Sequence, residues 1–401
     1  MRRVAITGMG VICALGHNLA ETWDSLRAGR PGIGPLESVD RTQLRFTNAA
    51  EVRGFRPELH FDTAQASMPD RFAQFALIAA REAVKQSGLD HTGPPSQRRA
   101  VITGSSLGGK NTEDGQFLEL YGRHGRVHPL TIPRTMANAG ASLISMEMGI
   151  TGPVFTLSTA CSSSNHALGM AYWMVRNGMV DAAISGGSEA TFSMGILKAW
   201  EALRVVAPDT CRPFSRDRKG MILGEGAGML VMEPLDHAQA RGAEVLAEIV
   251  GFGMSSDAGH LTQPSLEGPL SAMKLALDDA GLPPEAIGYI NAHGTGTMAN
   301  DPTEVRAIRK LFGAHAERLP VSSTKSMHGH ALGGSGALEA VATVMAMRQG
   351  VLPPTANFNL PDPECDLDVV PNQPRTAQVE YALSNSFAFG GLNAVLAFRH
   401  G

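Results

Sequence analysis

Four strings in this chain hold residues able to do chemistry. The first is Ser158-Thr159-Ala160-Cys161-Ser162-Ser163-Ser164-Asn165-His166-Ala167-Leu168-Gly169. The apolar, partly β-branched run Val154-Phe155-Thr156-Leu157 before it predicts a short buried strand. The Ala/Leu/Met-rich run from Ala167 to Val175 after it predicts a buried helix. A thiol at such a turn lies near the positive end of a helix dipole, which lowers its pKa and makes it a usable nucleophile. The second string is Asn291-Ala292-His293-Gly294-Thr295-Gly296-Thr297, at the end of a predicted strand. The third is Ser323-Thr324-Lys325-Ser326-Met327-His328-Gly329-His330. The fourth, Ser384-Asn385-Ser386-Phe387-Ala388-Phe389-Gly390-Gly391-Leu392-Asn393, reads as a Gly-rich loop. Singly each is weak, because a buried thiol often packs like alanine and a lone histidine is usually a satisfied polar group. Their order and joint occurrence carry the weight.

The elements that must hold these strings repeat along the chain. Phe72 to Ser87 has helical periodicity ending at Gly88-Leu89, and a β run from Arg99 to Thr103 opens onto Gly104-Ser105-Ser106. Pro269 to Ala280 is again helical and ends at Gly281-Leu282, and a β run from Ala286 to Asn291 opens onto Ala292-His293-Gly294. Glycine just past a helix end, followed by a strand, is the expected αβ punctuation. The Cys161 string also echoes Ser323 through Gly333, one residue shorter, and both lead into Ala/Met-rich helices. We read two copies of a βα unit facing one another, joined near Asp236 to Glu244.

Size and composition agree. The 401 residues suit two domains or one large duplicated one, and 45 glycines with 5% aromatics point to a tightly packed α/β architecture. Basic and acidic residues nearly balance, 34 against 38, so neither a nucleic-acid binder nor a membrane-surface protein is expected. Cys13, Cys161, Cys211 and Cys365 are widely spaced, which argues against a disulfide framework or zinc site and for a reducing cytoplasm. Val4 to Thr7 reads as a strand entering a Gly-rich turn rather than as a leader, and Ala331 to Met347 as a buried helix too short to span a bilayer.

On these four strings the chain resembles the β-ketoacyl-acyl-carrier-protein synthases, in the Cys-His-His branch of the thiolase-fold condensing enzymes, and most of all synthase II. The resemblance runs from Val4-to-Gly10 to the strand Asn393-Ala394-Val395-Leu396. Leu197-Lys198-Ala199-Trp200-Glu201-Ala202 and Ala207-Pro208-Asp209-Thr210-Cys211-Arg212-Pro213-Phe214-Ser215 resemble the nodulation-type subgroup, which builds unusual acyl chains. The resemblance implies an α/β thiolase-like fold: two pseudo-duplicated halves, 1–240 with the nucleophile and 241–401 with the histidines, forming a layered α-β-α-β-α sandwich.

Residue by residue, it implies Cys161 as acyl acceptor and His293 and His330 as the decarboxylation pair. Lys325 would tune the second histidine, and Glu304 would brace the site. The amides of Cys161 and Phe389 would form the oxyanion hole, with Phe389 as gate beside Phe387. Thr295 and Thr297, with Thr262, would bond a phosphopantetheine arm brought by an acyl carrier protein. Leu107 and Leu197 would line the acyl pocket. Asn291, Glu339, Ser384 and Asn385 match a structural cation site of relatives, and no other cofactor is implied. A cytoplasmic homodimer with a local basic rim at Arg71, Arg123, Arg126 and Arg134 is the implied assembly.

The chain departs from the synthase II pattern at Ala388 (glycine is usual), Leu392 (threonine is usual), Asn300 (glycine is usual) and Gly296, which makes a His-Gly-Thr-Gly-Thr string as in polyketide synthases. We expect Ala388 to stiffen the gate. A polyketide-type ketosynthase subunit and a non-condensing, chain-length-factor-like partner are the alternatives; Cys161 argues against the second. A thiolase would need a Cys-x-Gly turn that Glu364-Cys365-Asp366 does not supply, and a synthase III would lack His330. A Rossmann oxidoreductase would need a third glycine after Gly8-Met9-Gly10.

Overall fold

The computed structural model describes residues 1–62, 68–90 and 96–401. Ten strands carry the architecture: β1 (Val4–Cys13), β2 (Arg99–Gly104), β3 (Val154–Leu157), β4 (Ala182–Glu189), β5 (Gly226–Pro234), β6 (Ala247–Ser256), β7 (Ile287–Asn291), β8 (Val321–Ser322), β9 (Tyr381–Ala388) and β10 (Leu392–His400). They run side by side as β8-β7-β9-β10-β6-β1-β5-β4-β2-β3. Read outward from the middle, β1-β5-β4-β2-β3 and β6-β10-β9-β7-β8 are the same pattern. In each, two antiparallel pairings are followed by two parallel ones. The two fives meet where β1 pairs antiparallel with β6, from Val4 opposite Ile249 to Ile6 opposite Ala247. A short helix, Leu235–Ala240, makes the connection between them.

Helices fill the remaining layers. α1 (Arg71–Ser87) covers β1, β5 and β4 and α2 (Ala139–Met148) lies beside it over β2 and β3, while α4 (Glu267–Ala280) covers β6 and β10 and α5 (Asn300–Phe312) packs against α4. α3 (Ser163–Arg176) and α6 (Ser335–Gln349) touch strands of both fives and each other, so they form the central layer of an α-β-α-β-α sandwich. A helix buried on all sides needs no polar stripe, and α6 has none: Glu339 and Thr343 are as buried as its alanines. Small residues let the layers close. A Cβ at Gly169 of α3 would lie 2.4 Å from the Phe252 ring of β6, and one at Gly336 of α6 would lie 2.4 Å from the Asn165 amide oxygen of α3.

Four expectations need correction. The first strand does not end at Thr7 but continues through Gly8 and Gly10 to Cys13, with a bulge between Ile6 and Gly8. Those glycines serve packing, since a Cβ on either would stand 2.0 Å from a carbonyl oxygen of α1, Ala83 or Ala79. Val154–Leu157 is an edge strand with every residue only half-buried, because β2 is its single neighbour. The helix after Cys161 starts four residues earlier than Ala167, at Ser163. Most of the Gly-rich string is strand, leaving Phe389-Gly390-Gly391 as the turn between β9 and β10. No helix among the described residues is long and apolar enough to cross a membrane.

Candidate active site

Cys161 lies in the turn from β3 to α3, directly after Ala160, one of the few non-glycine residues held at positive φ (50°). Backbone strain of this kind persists only where surrounding structure holds it. His330 lies in the corresponding stretch between β8 and α6, so the mirrored halves bring both to the central layer. Its Nε2 is 3.1 Å from the Cys161 sulfur, and its Nδ1 is 2.8 Å from Ser335 Oγ. His293, just past β7, meets the His330 ring edge-on with centroids 5.5 Å apart.

Lys325 is completely buried, and its Nζ has three contacts: the His293 carbonyl at 2.7 Å, His293 Nδ1 at 3.2 Å, and the Glu339 carboxylate. A lysine ammonium donates three hydrogens and accepts none. His293 Nδ1 must therefore be the acceptor, which puts the ring proton on Nε2. Lys325 was expected to tune the second histidine, and its charge does lower the His330 pKa, but its hydrogen bonds go to the first. Glu304 bonds no imidazole. One carboxylate oxygen accepts from the His293 N–H at 2.8 Å and from Asn385 Nδ2 at 3.1 Å, and the other accepts from the Gly294 N–H at 2.8 Å.

Burial dominates the electrostatics. It holds both imidazoles well below their usual range, the Lys325 charge adding to the effect, so both are neutral at physiological pH. The Cys161 thiol is pushed up to about 11, chiefly by burial. The Lys325 charge and the backbone amides of Phe389 and Cys161 pull it back, and Glu189 adds to the rise. A helix-dipole-lowered thiol is the expectation; desolvation overrides the dipole because Cys161 is only 8% exposed.

A cleft of about 200 Å³ leads to the sulfur, lined by Cys161, His293, His330, Thr262, Thr295, Thr297, Phe387 and Phe389 among others. Thr295 and Thr297 share a hydrogen bond of 2.9 Å between their hydroxyls. Phe389 stacks on Trp200 at 6.2 Å, and Phe387 meets the His293 ring at 6.0 Å. Positive φ in the turn is confined to Gly390 (83°) and Gly391 (71°). Ala388 is the last residue of β9 and is not among the positive-φ positions, so its Cβ strains nothing in this conformation.

Leu107 and Leu197 come together in an apolar cluster with Phe192, Met221 and Leu332, but neither lines the cleft. Trp200, Val205 and Met221 belong to both. Sequence reasoning missed Asp257, which ties down the turn between β9 and β10. Its backbone N–H donates to the Gly391 carbonyl at 2.9 Å, and its carboxylate accepts from Asn393 Nδ2 at 2.8 Å. No periodicity marks Asp257; a lone acid at a strand end facing a glycine turn was the only available signal.

Of the residues matched to a cation site, Asn291 Oδ1, Glu339 Oε2, Ser384 Oγ and Asn385 Oδ1 are all buried without a hydrogen-bond partner. Asn291 and Ser384 are register partners on β7 and β9, and Glu339 reaches the same region through Lys325. Orphaned buried oxygens of this kind fit a hard cation. The Asn385 side chain does not join them: it alternates to the opposite face of β9, against Met273 and Glu304.

None of the four rim arginines lines the cleft. Arg71 is committed to a bidentate pair with buried Glu225 at 2.7 and 2.8 Å and lies over the Phe55 and Phe75 rings. Arg134 flanks it in a separate depression, Arg123 is exposed beside Glu119, and Arg126 is exposed.

Family models described as Beta-ketoacyl synthase, N-terminal domain, and Beta-ketoacyl synthase, C-terminal domain, match residues 1–238 and 246–359. Nodulation protein E of Rhizobium sp. (strain N33) is 48% identical over 400 residues, covering 99% of each chain. 3-Oxoacyl-[acyl-carrier-protein] synthase 2 of Staphylococcus aureus (strain N315) is 41% identical over 406 residues, covering 99% of this chain and 98% of the relative. Among solved structures, a type II PKS acyl-carrier protein in complex with its ketosynthase bound to the hexaketide superposes with a TM-score of 0.91 at 29% identity, over 100% of this chain and 99% of that one.

Proposed function

The chain belongs to the β-ketoacyl synthase family, as an acyltransferase of the 3-oxoacyl-[acyl-carrier-protein] synthase type, and from that premise we propose how its residues divide the work. Cys161 accepts the acyl chain. Its sulfur attacks the carrier thioester, the oxyanion is held by the N–H groups of Cys161 and Phe389, and the carrier thiol departs with the proton that Cys161 gives up. A malonyl thioester then enters. Its bond to the carboxylate breaks, carbon dioxide leaves, and the electron pair becomes an enolate whose oxygen receives Nε2–H from His293 and His330. The enolate carbon attacks the acyl-Cys161 carbonyl, the carbon–sulfur bond breaks, and a 3-oxoacyl thioester leaves with its carrier.

One observation carries this reading. Two neutral imidazoles face each other over a thiol, with Lys325 fixing the His293 proton on Nε2. Lys325 and Glu304 are positioning residues, the lysine through its charge and the carboxylate through two backbone amides. Thr295, Thr297 and Thr262 hold the phosphopantetheine arm at the cleft mouth. The carrier is an acyl carrier protein, a reading supported by the similarity to a 3-oxoacyl-[acyl-carrier-protein] synthase and to a ketosynthase in complex with its acyl-carrier protein. Leu107 and Leu197 set chain length from behind the cleft once Phe389 swings aside. The chain falls into halves 1–240 and 241–401, a division the mirrored strand order supports.

Purified protein given acyl carriers of graded length and malonyl carrier, with products sized by mass spectrometry, tests the reading. Cys161→Ala should form no 3-oxoacyl product. His293→Ala and His330→Ala should still acylate Cys161 but release carbon dioxide about 100- to 1000-fold more slowly. Normal carbon dioxide release would make that histidine structural.

We also propose a monovalent structural cation at Asn291, Glu339 and Ser384, where it would neutralise charge and satisfy oxygens. Thermal unfolding in potassium or sodium chloride should exceed that in tetramethylammonium chloride at equal ionic strength; equal midpoints would refute it.

A further inference from the structure

Glu189, at the end of β4, is fully buried, and no lysine, arginine or histidine among the described residues forms an ion pair with it. Four donors converge on its carboxylate instead. Oε1 accepts from Ser105 Oγ at 3.1 Å and the Leu107 N–H at 3.3 Å, while Oε2 accepts from the Ser106 N–H at 2.6 Å and the Gly333 N–H at 3.2 Å. Three of these belong to the loop after β2, and the fourth to the turn three residues beyond His330.

Both anchored segments reach the reacting atoms. Ser106 Oγ donates to the Ala160 carbonyl at 2.8 Å, the strained residue immediately before Cys161, and Ser158 Oγ donates to the Ser106 carbonyl at 3.2 Å. On the other side, the Gly333 carbonyl accepts from Ser164 of the Cys161 helix, so that peptide is held at both ends. Gly333 has no room to shift: a Cβ there would stand 2.3 Å from the Ser106 nitrogen.

We propose that Glu189 is a positioning residue that locks the Cys161 turn to the His330 turn by way of the Ser105–Leu107 loop. Cys161 and His330 come from different halves of the fold and face each other at 3.1 Å with no covalent path shorter than 169 residues. The carboxylate gives the two halves a shared anchor beside the sulfur. An uncharged hydrophobe could not serve, because four buried donors would lose their acceptor. Burial pushes the carboxyl up to about 7, and the four donors oppose that rise. The inference rests on Cys161 and His330 as the reacting pair proposed above.

Glu189→Gln tests it, since either carboxylate oxygen replaced by NH₂ would face two donors. In the full-length protein, single-turnover acyl transfer to Cys161 should slow about 10- to 100-fold, as expected for a small misplacement of reacting groups. The KM for the acyl carrier protein should stay within about twofold, because the threonines at the mouth are untouched. Iodoacetamide should alkylate Cys161 faster, because the neighbouring negative charge is gone. Ser106→Ala, which keeps the carboxylate and removes the link to Ala160, should slow transfer about 3- to 10-fold with circular dichroism and melting temperature unchanged. If Glu189→Gln does not fold, Ser106→Ala decides. Wild-type transfer rates in either variant, or a loss matched by an equal rise in KM, would overturn the proposal. Were the wild-type protein acylated elsewhere, the Cys161 assignment would fall, while the alkylation rates would still report on Glu189.

Discussion

At Cys161 two influences act on one sulfur, and their sizes decide its chemistry. The start of α3 and the Lys325 charge favour thiolate; burial disfavours it and prevails, leaving the thiol at about 11. Alkylation of Cys161 should therefore climb about tenfold per pH unit from pH 7 to 10 with no plateau, as the thiolate fraction of a thiol titrating near 11 does. A plateau below pH 8, read by mass spectrometry of Cys161 against the other buried thiols, would contradict the desolvation argument. The histidines behave in the opposite sense. Held well below their usual range, they take up a proton and become charged only in acid, so the pair is unchanged by raising the pH above 7. The residue types of this site were legible in the sequence. The partner of Lys325 was not, because which imidazole a buried ammonium meets depends on how β7 and β8 register, not on spacing within a string.

At the level of elements, the apolar cluster behind the cleft is where the proposed control of chain length is tested. The loop after β2 holds Leu107 against Leu197 and Met221, and Met221 also lines the cleft. Leu107→Phe should shorten the longest acyl chain accepted while sparing the shortest. Each excluded methylene forfeits about 0.8 kcal/mol of burial, so a few give a sharp cut-off. Equal slowing at all lengths, measured with the graded carriers, would place Leu107 outside the acyl path. Elements with strong periodicity and a glycine stop, such as Arg71–Ser87 and Glu267–Ala280, were readable to within two residues. The first strand was not, because Gly8 and Gly10 look like turn residues locally. Their reason is a helix far along the chain, Arg71–Ser87, that approaches closer than any side chain permits.

For the whole molecule, β3 ends the sheet among the described residues, and the segment that precedes it in the chain exposes Phe117, Leu118, Tyr121, Ile132 and Met146. Unpaired edges and apolar patches of this kind are normally covered. We propose a homodimer formed on this face. Sedimentation at assay concentration should give twice the 42.3 kDa chain mass. Tyr121→Glu with Ile132→Glu should produce monomer, and a fully active wild-type monomer would refute the assembly. Arg71 cannot contribute much to a carrier-docking rim, since its guanidinium is held by Glu225 and two aromatic rings. Exposed Arg123 and Arg126 keep that possibility, read as a carrier KM that rises with salt.

By itself, the sequence determined the α/β class, the doubling of the βα unit, and the strings in which a cysteine, two histidines and a lysine able to do chemistry stand. Those are local properties: helix and strand periodicity, glycine after a helix end, and short strings of reactive residues are set by neighbours in the chain. The tertiary structure alone decided that burial outweighs the dipole at Cys161 and that Lys325 fixes the His293 tautomer. It also decided that the Glu189 carboxylate joins the loop after β2 to the turn beyond His330. Each of these depends on distances between residues far apart in sequence and on how completely water is excluded. Desolvation and hydrogen-bond geometry arise only when the layers close.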